Sequence, residues 1–184
     1  MSSTIPISLD WTYLQPQISP EQMERWRPKV RLCHDMLHER TGPGSNFLGW
    51  LEPRSIISAE GLKKVKDLAK RLHEEAEVMV SVGIGGSYLG ARAVIEALQP
   101  PGQPPTVLFA GKDLCGYSHV SLLRALEGRQ FCLNVISKSG ATIEPAIAFR
   151  LLREELVRSL GKEQARRRIV ATTDASQGIL RKLA

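Results

Sequence analysis

Two segments of this chain share one pattern, and it fixes the fold class. Val78-Met79-Val80-Ser81-Val82 runs into Gly83-Ile84-Gly85-Gly86-Ser87-Tyr88-Leu89-Gly90. Phe131-Cys132-Leu133-Asn134-Val135-Ile136 runs into Ser137-Lys138-Ser139-Gly140-Ala141-Thr142. Each is an apolar strand, a small polar loop, then apolar residues at helical spacing. The alternation extends through the rest of the chain. It predicts strands over 77–82, 106–110, 131–136 and 168–172, followed by helices over 87–98, 118–126, 142–160 and 176–183. Strands alternating with helices of this length imply right-handed βαβ units. Strands that read as continuous apolar runs imply a sheet covered on both faces. The expected fold is therefore an α/β, doubly wound, three-layer α/β/α sandwich on a parallel sheet. In such a sheet both polar loops lie at the carboxyl ends of the strands, where ligands bind.

The part before this array reads differently. Pro6 and Pro16 interrupt residues 1–19. Ser19-Pro20-Glu21-Gln22 has a cap residue, then proline at the first helical position. The spacing predicts a helix from there to about residue 40, ended by Thr41-Gly42-Pro43-Gly44. Residues 45–58 read as a loop, and Phe47, Leu48, Trp50 and Leu51 predict that it packs down. Ser58 caps a further helix, with Leu62, Val65, Leu68, Ala69, Leu72 and Ala76 on one face. The division expected is a helical and loop extension over 1–58 and a ligand-binding domain over 59–184. Leu180, Leu183 and Ala184 still follow a helical pattern where the sequence stops, without a C-cap glycine or polar tail. That predicts an incomplete domain, truncated at its C-terminal side, with the strand over 168–172 left as an edge.

Composition excludes several functions. At 42% hydrophobic and 24% charged, the chain is of ordinary globular type. No apolar run approaches membrane-spanning length, and no basic-then-apolar leader opens it, so a cytoplasmic protein without a membrane partner is expected. The net charge of +6 is modest. Arg166-Arg167-Arg168 falls where a helix should end, so it complements the helix dipole. With 5% aromatic residues there is no basic stripe interleaved with rings, and nucleic acid is not an expected partner. Cys33, Cys115 and Cys132 are odd in number and widely spaced, and Cys132 reads as a core residue inside a strand. His34 and His38 share a helix face but lack a third ligand, so no metal site is expected.

The two loops carry the chemistry. The glycines of the first permit a tight turn and close approach of backbone amides to a ligand. Ser87 is placed to cap the following helix and to offer its hydroxyl. A helix N-terminus binds anions through its free amides and dipole. The alternative is a strand-to-helix turn whose glycines serve packing. A dinucleotide fingerprint is disfavoured: its sixth position is Tyr88, and no acidic residue ends the strand over Thr106–Ala110. In the second loop Ser137, Ser139 and Thr142 bring three hydroxyls within six residues, and Lys138 adds positive charge. Thr142 is a natural N-cap with Pro145 in the first turn. Hydroxyls and amides so placed can coordinate phosphate oxygens. The alternative here is local side-chain capping. GxxxxGK[ST] is absent, so nucleoside triphosphate hydrolysis has no basis. Glu144 is one carboxylate without a placed partner, a weak signal for a general base.

Together with Thr41-Gly42-Pro43-Gly44-Ser45-Asn46-Phe47-Leu48-Gly49-Trp50 and Ala171-Thr172-Thr173-Asp174, these segments resemble glucose-6-phosphate isomerases of the bacterial type, in that family's order. The resemblance implies a fold with sugar-isomerase domains, of which this chain carries the N-terminal part and most of the first. It implies an aldose–ketose isomerase of glycolysis and gluconeogenesis. Such enzymes interconvert glucose 6-phosphate and fructose 6-phosphate by proton transfer through an enediol, without metal or cofactor. It implies that Gly86 and Ser87 contact the sugar phosphate and that Ser137, Lys138, Ser139 and Thr142 line its phosphate site. The full-length family implies a homodimer. Ala141 stands where the family has a hydroxyl residue. The family's later glutamate, histidine and lysine have no counterpart here, so no catalytic residue is assigned, and these 184 residues alone are expected to be inactive. The other reading kept open is a non-enzymatic sugar-phosphate-binding module.

Overall fold

A computed structural model describes residues 8, 10–14, 17–100 and 103–184. The chain divides into two compact units, Met1–Leu62 and Lys63–Ala184.

In the first unit, helix α1 (Pro20–His38) starts on a reciprocal cap. The Gln22 amide donates to Ser19 Oγ at 3.3 Å, and the Ser19 amide donates to Gln22 Oε1 at 2.7 Å. The helix stops two residues before the predicted end. The Thr41 amide reaches back to the Met36 carbonyl at 3.0 Å and the Arg40 amide to that of Leu37 at 3.3 Å, with Arg40 at φ 58°. This is the double bond of a Schellman stop, so termination precedes the Gly-Pro-Gly sequence. Two 3-10 turns (Ser45–Phe47 and Gly49–Leu51) and the short α2 (Pro53–Ile56) follow. The expectation that this loop packs down is corrected. Phe47 and Trp50 are 67% and 61% exposed, and only Leu48 and Leu51 are half-buried. The 3-10 turns are too short to present one apolar face, so the aromatic side chains splay outward.

Helix α3 (Ala59–Glu75) begins with the predicted cap, the Gly61 amide donating to Ser58 Oγ at 3.0 Å. The second unit then contains β1 (Val78–Val82), α4 (Leu89–Leu98), β2 (Thr106–Ala110), α5 (Gly116–Leu126) and β3 (Phe131–Ile136). It ends with α6 (Ile143–Leu160), α7 (Lys162–Arg167), β4 (Ile169–Thr172) and α8 (Ile179–Leu183). The four strands form one sheet in the order β2-β1-β3-β4, every pair parallel. Residue alternation sends Val78, Val80, Val82, Leu133 and Val135 to one face, against Leu126 of α5, Ala148, Leu152 and Leu156 of α6 and Ala165 of α7. The other face sends Met79, Cys132 and Val170 against Leu68, Leu72 and Ala76 of the α3 segment, while Phe109 meets Tyr88 and Arg92 at the start of α4. The result is the expected α/β/α sandwich, with Cys132 in the core at 2% exposure. Helix α7 is absent from the sequence reading. Gly161, at φ 75°, breaks the long pattern into α6 and α7, and the Arg166-Arg167-Arg168 run closes α7.

Candidate functional site

The strand order contains a reversal. From β1 the chain crosses to β2 on one side; from β3 it crosses to β4 on the other. The loops leaving β1 and β3 therefore part in opposite directions and open a crevice between adjacent strand ends, the place where open α/β sheets take ligands. The two loops singled out in the sequence are the ones that border it.

After β1 the ladder runs one residue further, the Gly83 amide donating to the Ala110 carbonyl at 2.9 Å. A 3-10 turn, Gly85–Ser87, follows before α4 begins at Leu89. Ser87 therefore does not cap the helix. Tyr88 holds that position with φ −136° and ψ −22°, and no side chain caps α4. The cause is burial: the Tyr88 ring is 6% exposed and packs on Phe109 with centroids 5.6 Å apart, which holds the residue out of helical geometry. Gly86 is exposed and Ser87 half-buried. The Ser87 hydroxyl is not used on helix amides.

After β3 the Ser137 amide meets the Thr172 carbonyl at 3.1 Å. Ser137 is buried, and its Oγ accepts the Gly140 amide at 3.0 Å; Ser139 Oγ accepts the Ala141 amide at 3.1 Å. Both bonds are local, as the capping alternative requires. Each occupies a lone pair, however, and leaves the hydroxyl proton available to an anion. Thr142 stands at the N-cap of α6, and its carbonyl accepts the Ala146 amide at 3.2 Å. Its hydroxyl makes no capping bond. Pro145, the third helical residue, has no amide proton to donate to a cap, and the Glu144 amide at the second position is not bonded to the Thr142 hydroxyl either. The first-turn amides of α6 have no carbonyl within the helix to meet, which suits an anion. Lys138 and Ser139 are exposed, and Thr142 and Glu144 are half-buried. A cleft of about 490 Å³ beside this loop is lined by Ser137, Gly140, Thr142, Phe149 and Leu180 among others.

A third loop, whose first residues Thr173 and Asp174 the sequence marks only through the family resemblance, meets the second one in a way the sequence does not signal. After β4, Thr173 Oγ1 donates to the Lys138 carbonyl at 3.3 Å, and the Ile179 amide donates to the Ser139 carbonyl at 2.7 Å. Between them the Asp174 carboxylate accepts the Ser176 amide at 2.9 Å, the Ser176 hydroxyl at 3.1 Å and the Gln177 amide at 3.1 Å. The Ser176 amide, then its hydroxyl and the Gln177 amide, hold the Asp174 carboxyl below its ordinary range. The signal available in the sequence was Gly178, a residue able to bring backbone against backbone. Among the described residues no three side chains of His, Cys, Asp or Glu gather to hold a metal ion, and no helix is long and apolar enough to cross a membrane.

A family model described as phosphoglucose isomerase matches residues 67–181. Among curated proteins, the glucose-6-phosphate isomerase of Symbiobacterium thermophilum is 46% identical, covering 100% of this chain and 43% of its own length. That of Bacillus cytotoxicus is 40% identical, covering 97% and 42%. Among solved structures, a protein of Thermus thermophilus described as hypothetical superposes with TM-score 0.75 at 30% identity. It covers 94% of this chain and 40% of its own. The chain thus spans about two fifths of the length of the curated relatives it matches.

Proposed function

The chain belongs to the phosphoglucose isomerase family, and we propose that it forms the phosphate-holding part of a glucose-6-phosphate isomerase. The observation that carries this reading is the pair of strand-loop-helix turns on β1 and β3, side by side at the reversal in strand order. In the proposed complex Ser137, Ser139 and Thr142 donate hydroxyl protons to the phosphate oxygens, with the α6 first turn and Lys138 supplying positive potential. Gly86 and Ser87 meet the sugar from the neighbouring loop. The reaction of the whole enzyme is the interconversion of glucose 6-phosphate and fructose 6-phosphate through an enediol, in glycolysis and gluconeogenesis. In this reading the groups that move the proton are supplied from outside these 184 residues. The proposed division is an extension over 1–58 and a sugar-isomerase domain over 59–184, acting in the cytoplasm within a homodimer.

Calorimetry with 6-phosphogluconate and with NAD tests the reading. The sugar phosphate is expected to bind and the dinucleotide not to. NAD binding without a response to 6-phosphogluconate overturns it.

A further inference from the structure

The loop over 137–142 does not hold its shape alone. Two consecutive carbonyls, those of Lys138 and Ser139, are taken up by residues beyond β4. In a trans peptide the N–H points away from the C=O across the same plane. Fixing the Lys138 carbonyl on Thr173 therefore fixes the direction of the Ser139 N–H. Fixing the Ser139 carbonyl on Ile179 likewise directs the Gly140 N–H, which meets Ser137 Oγ at 3.0 Å and so turns that hydroxyl's proton away from Gly140.

The contact is backbone against backbone. Gly140, at φ 72°, abuts the Leu180 amide nitrogen where a Cβ would overlap it. From the other side, a Cβ on Gly178 would come within 2.9 Å of the Ser139 carbonyl oxygen. Two glycines in positive-φ conformations carry an entropic cost on folding. What they secure is close contact with the loop that carries the hydroxyls.

We propose that residues 173–180 are a positioning strap for the phosphate loop, with Ile179 and Thr173 as the positioning residues that set which loop donors face the anion. The inference rests on the reading of 137–142 as a phosphate site. It adds a role for residues that need not touch the sugar phosphate at all.

Ile179 allows a selective test. It is the first residue of α8, where proline is tolerated, and Gly178 before it has ψ 162°, which proline permits. Ile179→Pro deletes the amide donor and crowds the Ser139 carbonyl, whereas Ile179→Ala keeps the donor. With 6-phosphogluconate as probe and the whole chain as protein, Ile179→Pro is expected to bind about tenfold more weakly, the size of one lost charge-assisted hydrogen bond. Ile179→Ala is expected to bind like the natural chain. In amide NMR spectra, inorganic phosphate should move the Ser139 and Gly140 signals of the natural chain and of Ile179→Ala, but not those of Ile179→Pro. Thr173→Val should weaken binding and Thr173→Ser should restore it; this pair decides the matter if Ile179→Pro does not fold. Equal binding by Ile179→Pro and the natural chain overturns the strap and leaves the phosphate reading standing. Equal weakening by Ile179→Pro and Ile179→Ala also overturns it, because side-chain packing then explains the effect. No binding of 6-phosphogluconate by the natural chain overturns both.

Discussion

Gly111, at the end of β2, lies against Pro145 in the first turn of α6: a Cβ on Gly111 would sit 2.9 Å from the Pro145 Cα and 3.4 Å from the Gly83 amide nitrogen. One residue thus touches the ends of both loops that border the crevice. Gly111 has φ 83°, so any side chain there meets backbone strain as well as a clash with atoms that cannot rotate away. Gly111→Ala should cost about 2–3 kcal/mol, combining positive-φ strain with overpacking. It should also displace Pro145 and weaken sugar-phosphate binding. Calorimetric unfolding checks the first effect and titration with 6-phosphogluconate the second. An alanine variant as stable as the natural chain would show that the crevice walls yield easily.

The hydroxyls of Ser139 and Thr142 can be separated from their capping role. Since the Thr142 hydroxyl makes no bond to the helix, removing it should leave α6 intact. The Ser139 bond to the Ala141 amide is an exposed local one, so its loss should cost no more than about 1 kcal/mol. The double variant Ser139→Ala, Thr142→Ala should therefore melt close to the natural chain and yet lose 6-phosphogluconate binding. Retained affinity would reduce the two hydroxyls to loop architecture. Ala141→Thr, which adds a hydroxyl to the same turn, should bind as well or better.

The cysteines should differ sharply in reactivity. Cys115 is exposed beside the N-terminus of α5, where the Ser118 amide, then the Tyr117 amide and the Ser118 hydroxyl, lower its thiol pKa. Cys132 is buried in β3, and burial pushes its thiol up. Thiolates are the nucleophiles. Iodoacetamide near neutral pH should label Cys115 while Cys132 stays protected until the chain is denatured, as peptide mass spectrometry would record. Cys132 labelled as fast as Cys115 in the native chain would contradict the packing of α3 on the sheet.

Asp174 gives the strap a pH dependence. A carboxyl whose pKa is lowered by folding stabilises the fold above its unfolded pKa, and that contribution is lost as pH falls through the folded value. The stability difference between the natural chain and Asp174→Asn should therefore favour the natural chain near neutrality and shrink below about pH 4, the ordinary carboxylate range. Parallel urea titrations across that range measure it. A difference independent of pH would mean the carboxylate charge contributes nothing there.

Much of the sandwich was legible because local and global signals agreed. β2 and β3 carry apolar runs bounded by turn residues, and their limits coincide with the observed strands. Helix starts were less legible. Ser87 and Thr142 are good capping residues by type, but the buried Tyr88 takes the cap position in one case, and in the other Pro145 removes one of the two amides that a cap hydroxyl meets and the bond is not made. The strap was invisible for a different reason. The bond from Ile179 to Ser139 runs through main-chain atoms, which every residue but proline can supply, and the carbonyl that Thr173 Oγ1 meets, that of Lys138, is likewise main-chain, so composition does not pair the two loops. Phe47 and Trp50 misled because apolar residues in a loop predict burial only if the loop has a face to bury them on.

Purified alone, this chain is expected not to isomerise sugar phosphates. Moving a proton between C1 and C2 requires a base within hydrogen-bond reach of the carbon-bound proton. In the proposed complex the loop over 137–142 holds the phosphate, at the far end of the sugar from those carbons. Glu144 lies in the first turn of α6, on the same side as the proposed phosphate contacts. Asp174, the acidic residue of the third loop, is committed to the Ser176 and Gln177 amides. His34 and His38 belong to α1, with rings 4.3 Å apart, and His119 Nδ1 is turned onto the Cys115 carbonyl at 2.8 Å. Positioning accelerates a reaction only when the bound substrate faces a reacting group. A coupled assay from fructose 6-phosphate to glucose 6-phosphate, with chain made in a host lacking its own isomerase, should show no turnover above background. A rate of about 1 per second, the low end for ordinary enzymes, would place a catalytic base within these residues, and substitution of Glu144 and His119 in turn would be the way to find it.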